Sequence, residues 1–157
     1  KDIFNFPGLK VCLTTEESKE INNAPSPKII IAGAGMSNGG RILHHEIRYL
    51  SDPKNAILFI GYQAAGSLGR QIMDGAKTVR ISGEQITVRC KIKNISGYSA
   101  HADQAKLLEW LRPMRLSLKK VFVVQGEEDQ MIPLSAKIRD VLAIGAEIPS
   151  IGESVVL

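Results

Sequence analysis

Cysteine is scarce in this sequence: Cys12 and Cys90 are its only two, far apart and in no C-x-x-C spacing. That excludes a disulfide framework and a structural zinc knuckle, and it suits a reducing, cytoplasmic setting. Histidine is nearly as rare, with His44, His45 and His101 alone. No apolar run approaches the ~18 residues that a membrane span needs, so no membrane association is expected. No charged-then-apolar signal segment opens the chain. Internal repeats, low-complexity stretches and a basic tail are missing too. What is present is 157 residues, 44% hydrophobic, a length usual for one domain and an apolar content ample for a packed core. Because the chain opens at Lys1 without an initiator Met, it is expected to be a soluble fragment of something longer.

The net charge is +4, with about half of the excess on each side of residue 78. That balance permits an anionic partner and equally suits many cytosolic proteins. Its distribution says more. Arg89, Lys91 and Lys93 fall in one run, and Arg112, Arg115, Lys119 and Lys120 in another with no acid among them. A solvated face is the plainer reading of both.

Lys28-Ile-Ile-Ile-Ala-Gly33 is a continuous apolar run ending in glycine, as a buried parallel strand feeding a loop would be. Gly40 to Leu50 reads as a helix stopped by Asp52-Pro53, and residues 56–61 as a second buried strand, giving a βαβ unit with a right-handed crossover. Upstream, residues 9–13 suggest a strand, and Thr14 to Asn22 a short helix opened by a Thr cap with Glu17 three residues on. After Gly75 the pattern changes. Ile86, Val88, Cys90 and Ile92 alternate with Thr87, Arg89, Lys91 and Lys93, the period of a strand with one buried and one basic wet face. Leu107, Leu108, Trp110 and Leu111 then make a helical stripe closed by Pro113. Residues 120–124 predict a third buried strand, Pro133 to Leu142 a helix and residues 154–157 a terminal strand.

The glycine loop Gly33-Ala-Gly-Met-Ser-Asn-Gly-Gly40 stands between a predicted strand and a predicted helix, where free backbone N–H groups and the helix dipole favour a phosphate. A tight turn needing glycine geometry is the alternative. The dinucleotide fingerprint fails here, because Asn38 occupies the third glycine's place and Gly61-Tyr62-Gln63 offers no acid for a ribose hydroxyl. His44 and His45 lie inside the helix beside Ile42, Leu43 and Ile47, so at least one should serve packing. His101, between Ser99 and Asp103 at a strand-to-helix junction, is a candidate for chemistry. Asp103 reads equally as a helix N-cap.

Residues 30–41 (Ile-Ile-Ala-Gly-Ala-Gly-Met-Ser-Asn-Gly-Gly-Arg), Phe59-Ile-Gly-Tyr-Gln63 with Gly66-Ser-Leu-Gly69, and Ser99-Ala-His-Ala-Asp103 together closely resemble the C-terminal half of the β-CASP branch of metallo-β-lactamase-fold nucleases. The resemblance implies an α/β fold: part of a Rossmann-like β-CASP layer over residues 1–78, then the returning βα segment of a metallo-β-lactamase domain over residues 79–157. It implies a zinc-dependent ribonuclease that hydrolyses RNA phosphodiester bonds. His101 would be the catalytic histidine at the scissile phosphate. Gly35, Ser37, Gly39, Gly40, Arg41 and Ser99 would line the RNA path. The family's zinc-gripping H-x-H-x-D-H loop is absent, so no metal is expected in this chain, which should be inactive alone, with zinc held by the full-length protein. Where the family usually has a ligand His after Val, this chain has Gln125, a poor neutral ligand. A non-catalytic RNA-binding or scaffold homologue is therefore the competing reading. RNA is the expected partner, and a homodimer is allowed for.

Overall fold

The computed structural model describes residues 4–95, 97–98 and 101–155, in two compact units, Lys1–Ser96 and Gly97–Leu157. The first begins with α1, Thr15–Glu20, whose start is set by a reciprocal cap. Thr14 Oγ1 accepts from the Glu17 N–H at 3.1 Å, while the Glu17 carboxylate accepts from the N–H groups of Thr14 at 3.0 Å and Leu13 at 2.6 Å. These donors, Thr14's first, hold the Glu17 carboxyl below its ordinary range. A 3-10 turn, Ile21–Asn23, follows, and then α2, Ile42–Tyr49.

Strand β1, Ala56–Ile60, forms where the apolar run predicts. Its partner differs from the expected one. β1 pairs in parallel with β4, Lys91–Ile95, with Ala56 opposite Lys91 and Ile60 opposite Ile95. Residues 28–33 join no ladder, and Ile29 and Ile31 are 91% and 90% exposed. Residues 9–13 are likewise outside any strand. A strand exists only beside a neighbour, and among the described residues neither segment has one. The βαβ unit expected over residues 28–61 is therefore replaced by a crossover from β1 to β4. That crossover runs through α3, Leu68–Met73, and the hairpin β2, Thr78–Ile81, with β3, Glu84–Thr87. Ser82 and Gly83, both at positive φ, make the two-residue hairpin turn.

The alternation predicted for residues 86–93 holds in burial but not as one strand. The Arg89 and Cys90 N–H groups both donate to the Leu50 carbonyl, so the chain leaves the hairpin and joins β1 without turning its faces over. Leu50, Phe59, Ile72, Val79, Ile81, Ile86 and Cys90 form the core of this unit. The hairpin thus starts where strand type was expected to change, near residue 78, while the packing boundary falls after residue 96.

In the second unit α4, Gln104–Leu111, is capped by Asp103, whose carboxylate accepts from the Lys106 N–H at 2.9 Å. Leu108 and Leu111 are buried, but Trp110 of the predicted stripe is 67% exposed at a shallow apolar groove with Val124 and Leu134. Strand β5 spans Lys120–Phe122 and pairs in parallel with β6, Gly145–Glu147. Between them α5, Glu128–Leu142, starts five residues before the Pro133 that was expected to open it. Ser154 and Val155 are in no strand, and Val156 and Leu157 of the predicted terminal strand lie outside the described residues. Leu108, Leu111, Val123, Ile138, Leu142, Ile144 and Ala146 make the second core.

Candidate nucleic-acid interface

The glycine loop leads into α2 and is closed on itself: the Ala34 N–H donates to Gly39 O at 3.1 Å and the Ile42 N–H to Gly33 O at 3.1 Å. Gly40 sits at φ +76° against the Gly33 carbonyl, where a Cβ would lie 2.5 Å from that oxygen. Only glycine fits there. Gly35 and Gly39 have open space instead. Among the described residues the N–H groups of Gly35, Asn38, Gly40 and Arg41 have no protein acceptor, and all four residues are exposed, Gly40 and Arg41 directly before α2 and Gly35 and Asn38 earlier in the loop. Unsatisfied donors in a loop that leads into a helix suit an oxyanion.

The underside of the loop is built from side chains. Gln63, 1% exposed, donates from Nε2 to Gly35 O at 3.0 Å. The Gly69 N–H donates to Met36 O at 3.0 Å, and Asn38 Oδ1 accepts from the Leu68 N–H at 3.2 Å. Ser37, expected on the RNA path, is instead 2% exposed with its hydroxyl on Glu46 Oε1 of α2 at 2.5 Å. Burial drives the Glu46 carboxyl above its ordinary range, with the Ser37 bond opposing. Arg41, also expected to meet RNA, grips the Cys12 and Leu13 carbonyls at 2.6 Å each, fixing the segment before α1 onto the start of α2. Its residue remains exposed.

His45 is buried, stacked with Tyr49, and His44 is exposed. Burial first, then the neighbouring His44 and Lys28, holds the His45 imidazole below its ordinary range. In the second unit His101 is exposed, two residues before the Asp103 cap. Ser99 lies outside the described residues. Gln125 is exposed in the turn between β5 and α5, at a positive φ of 65°.

Two family models match this chain, the Beta-Casp domain over residues 1–72 and the Zn-dependent metallo-hydrolase RNA specificity domain over residues 85–149. The chain belongs to the β-CASP branch of metallo-β-lactamase-fold proteins. It is 44% identical over 134 residues to ribonuclease TTHA0252 of Thermus thermophilus, a match covering 85% of this chain and 30% of that protein. It is 33% identical to the transcription termination factor FttA of Thermococcus kodakarensis and 34% to that of Cenarchaeum symbiosum, covering 94% and 84% of this chain and 24% and 21% of those proteins. The chain thus spans less than a third of the length of each of these relatives.

The second description implies zinc. The side chains of this β-CASP chain do not fit such a site: among the described residues no group of three or more His, Cys, Asp and Glu converges. His45 packs inside the first unit, and His101 stands in the second.

The residues that reasoning from sequence overlooked are Glu46 and Gln63, which shape the loop without facing the solvent. A signal for Glu46 was present. It lies four residues from Ile42 and Leu50 and three from Leu43, on the apolar stripe of α2 rather than its wet side.

Proposed function

We propose that this β-CASP chain is the RNA-holding part of a zinc-dependent ribonuclease, with zinc bound by ligands elsewhere in the longer protein. On its own it binds no stoichiometric zinc and cuts no RNA. The observation that carries the reading is the glycine loop: unbonded N–H groups of exposed residues in the loop that leads into α2, held in place from below by Gln63, Asn38 and Ser37. Backbone donors of this kind take a phosphate oxygen whatever the base, which suits a path for single-stranded RNA. His101 acts at the scissile phosphate, steadying charge or protonating the leaving oxygen through its imidazole. The setting is the cytoplasm.

Binding of a labelled single-stranded RNA, followed by fluorescence anisotropy across a salt series, tests this. Removing one phosphate contact lowers the salt slope by about 0.7. We expect that loss for Arg41→Ala, together with weaker binding. Unchanged affinity and slope would count against the loop as the RNA path.

A second reading, a non-catalytic RNA-binding homologue, is favoured by Gln125, where a neutral amide stands in place of an imidazole. Metal content of the full-length protein separates the two. Two zincs per chain support the nuclease, and none supports the homologue.

A further inference from the structure

The loop's ties are of two kinds. Gln63, Asn38 and the Gly69 N–H hold it through neutral groups that no accessible pH changes. Among the described residues the one ionisable side chain bonded to the loop is Glu46, through Ser37. Ser37 is held at φ 56°, a region that a residue with a Cβ enters only when its surroundings demand it. The bond between its hydroxyl and Glu46 Oε1 is part of that demand.

The other carboxyl oxygen, Glu46 Oε2, is buried with no hydrogen-bond partner among the described residues. As a neutral acid the group is nearly satisfied, since Ser37 Oγ can both donate and accept, leaving one uncharged oxygen unpaired. As a carboxylate the same buried oxygen carries part of a full charge with no donor among the described residues to meet it, a far worse state. Among the described residues no basic side chain is bonded to Glu46. From α2 itself the neighbouring His45 is buried and resists its proton. From the segment before β4 comes the Cys90 thiol, which burial first, and a Glu46 carboxylate to a lesser degree, pushes up, so it supplies no positive charge. Arg70 of α3 is engaged with Asp74. Arg41, after the loop, is turned to Cys12 and Leu13.

We propose that Glu46, acting through Ser37, is a positioning residue that keeps the glycine loop in its closed shape while it holds its proton and releases that shape when it loses it. Burial of the group points the same way, since its proton is retained above the ordinary carboxylate range. What the loop does for RNA rests on the reading above. The positioning itself does not.

Native-state hydrogen exchange on the whole chain, corrected for intrinsic rates, reads the loop directly. The reporters are the Ile42 and Gly69 amides, bonded to Gly33 O and Met36 O. Between pH 5 and pH 8 their protection should fall by about tenfold for each unit by which folding raises the acid. Glu46→Gln keeps the shape and a partner for Ser37 but cannot ionise, so its protection should stay level across that range. Ser37→Ala should loosen the loop at both pH values. The same pH dependence in wild type and Glu46→Gln would overturn the proposal, as would unchanged protection in Ser37→Ala.

RNA affinity of the same proteins, measured at both pH values with the single-stranded probe, separates the two claims. Affinity that falls with pH in wild type and stays level in Glu46→Gln supports both. Protection that follows Glu46 while affinity ignores it supports the positioning role and overturns the RNA reading.

Discussion

Gly35, Gly39 and Gly40 look alike in the sequence, yet the loop treats them differently, and Gly40→Ala makes the difference measurable. The new methyl carbon would lie 2.5 Å from Gly33 O and 2.9 Å from Ala34 N, both backbone atoms that no side-chain rotation can move aside. Holding alanine at φ +76° costs about 1–2 kcal/mol. Pushing the Gly33 carbonyl away breaks its bond from the Ile42 N–H, about 0.5–1.5 kcal/mol net. Together the substitution should destabilise the first unit by about 1.5–3.5 kcal/mol. Gly35→Ala is the control, with open space around it and no positive φ, and should stay within about 0.5 kcal/mol of wild type. Urea denaturation with linear extrapolation gives both values. If Gly40→Ala proves no worse than Gly35→Ala, the loop is not closed against Gly33 and the geometry argued for it is wrong.

Other substitutions probe the rest of the framework. Gly69→Ala places a methyl 2.0 Å from Gln63 Oε1, so the amide must leave Gly35 O, and the Gly35 carbonyl NMR shift should move with it. An unchanged shift would mean that Gln63 gives way without releasing the loop. The lowered His45 value means that the unfolded chain accepts a proton that the folded one refuses. Its contribution is therefore full above about pH 6.5 and falls as the pH drops through that value. His45→Gln should flatten that acid limb in denaturation curves, leaving the opposite slope of Glu46, whose raised value removes stability as pH rises above 4.5. In the second unit Ile138→Ala should cost about 2–5 kcal/mol, whereas Trp110→Ser should cost far less, since most of that ring is already in solvent. Equal losses would place Trp110 in the core.

What the sequence reveals best is chemistry that acts within a few residues. The Thr14–Glu17 cap, the Asp103 cap and the inward alternation from Ile86 to Ile92 are set by neighbours in the chain, and each is where the pattern puts it. Features that depend on distant partners are harder to see. Ile29-Ile30-Ile31 has the composition of a buried strand, but a ladder needs a second chain segment that composition does not name. Strand β6 has the reverse problem. Gly145-Ala146-Glu147 carries no apolar run, and it forms because the Ser135 hydroxyl and the Arg139 guanidinium fasten the Ala146 carbonyl while β5 pairs alongside. Pro133 misled for a local reason. It is tolerated inside α5, whose start is marked instead by the acids Glu128 and Asp129 in the first turn.

Strand β4 shows how sequence families and packing can divide one chain differently. Residues 85–96 fall in the stretch matched by the RNA specificity domain, yet β4 pairs with β1 and Cys90 sits in the first core. The two divisions answer different questions. A family model follows residues that have stayed together in sequence, while a core follows whichever surfaces exclude water. Lys91 and Lys93 keep their charges outward while Ile92 between them packs against the first unit's core, so in β4 the basic and the apolar positions are two faces of the same strand. A change at Ile92 that leaves every lysine in place should therefore disturb the first unit, and with it the surface that those lysines present. Ile92→Asp would bury an unpaired carboxylate against Phe59 and Ile57's layer and should unfold the first unit rather than the second, as separate exchange of the two cores would record. Loss of protection at Ile138 and Leu142 alone, with Phe59 and Ile72 untouched, would show that β4 belongs by energy as well as by sequence to the second unit.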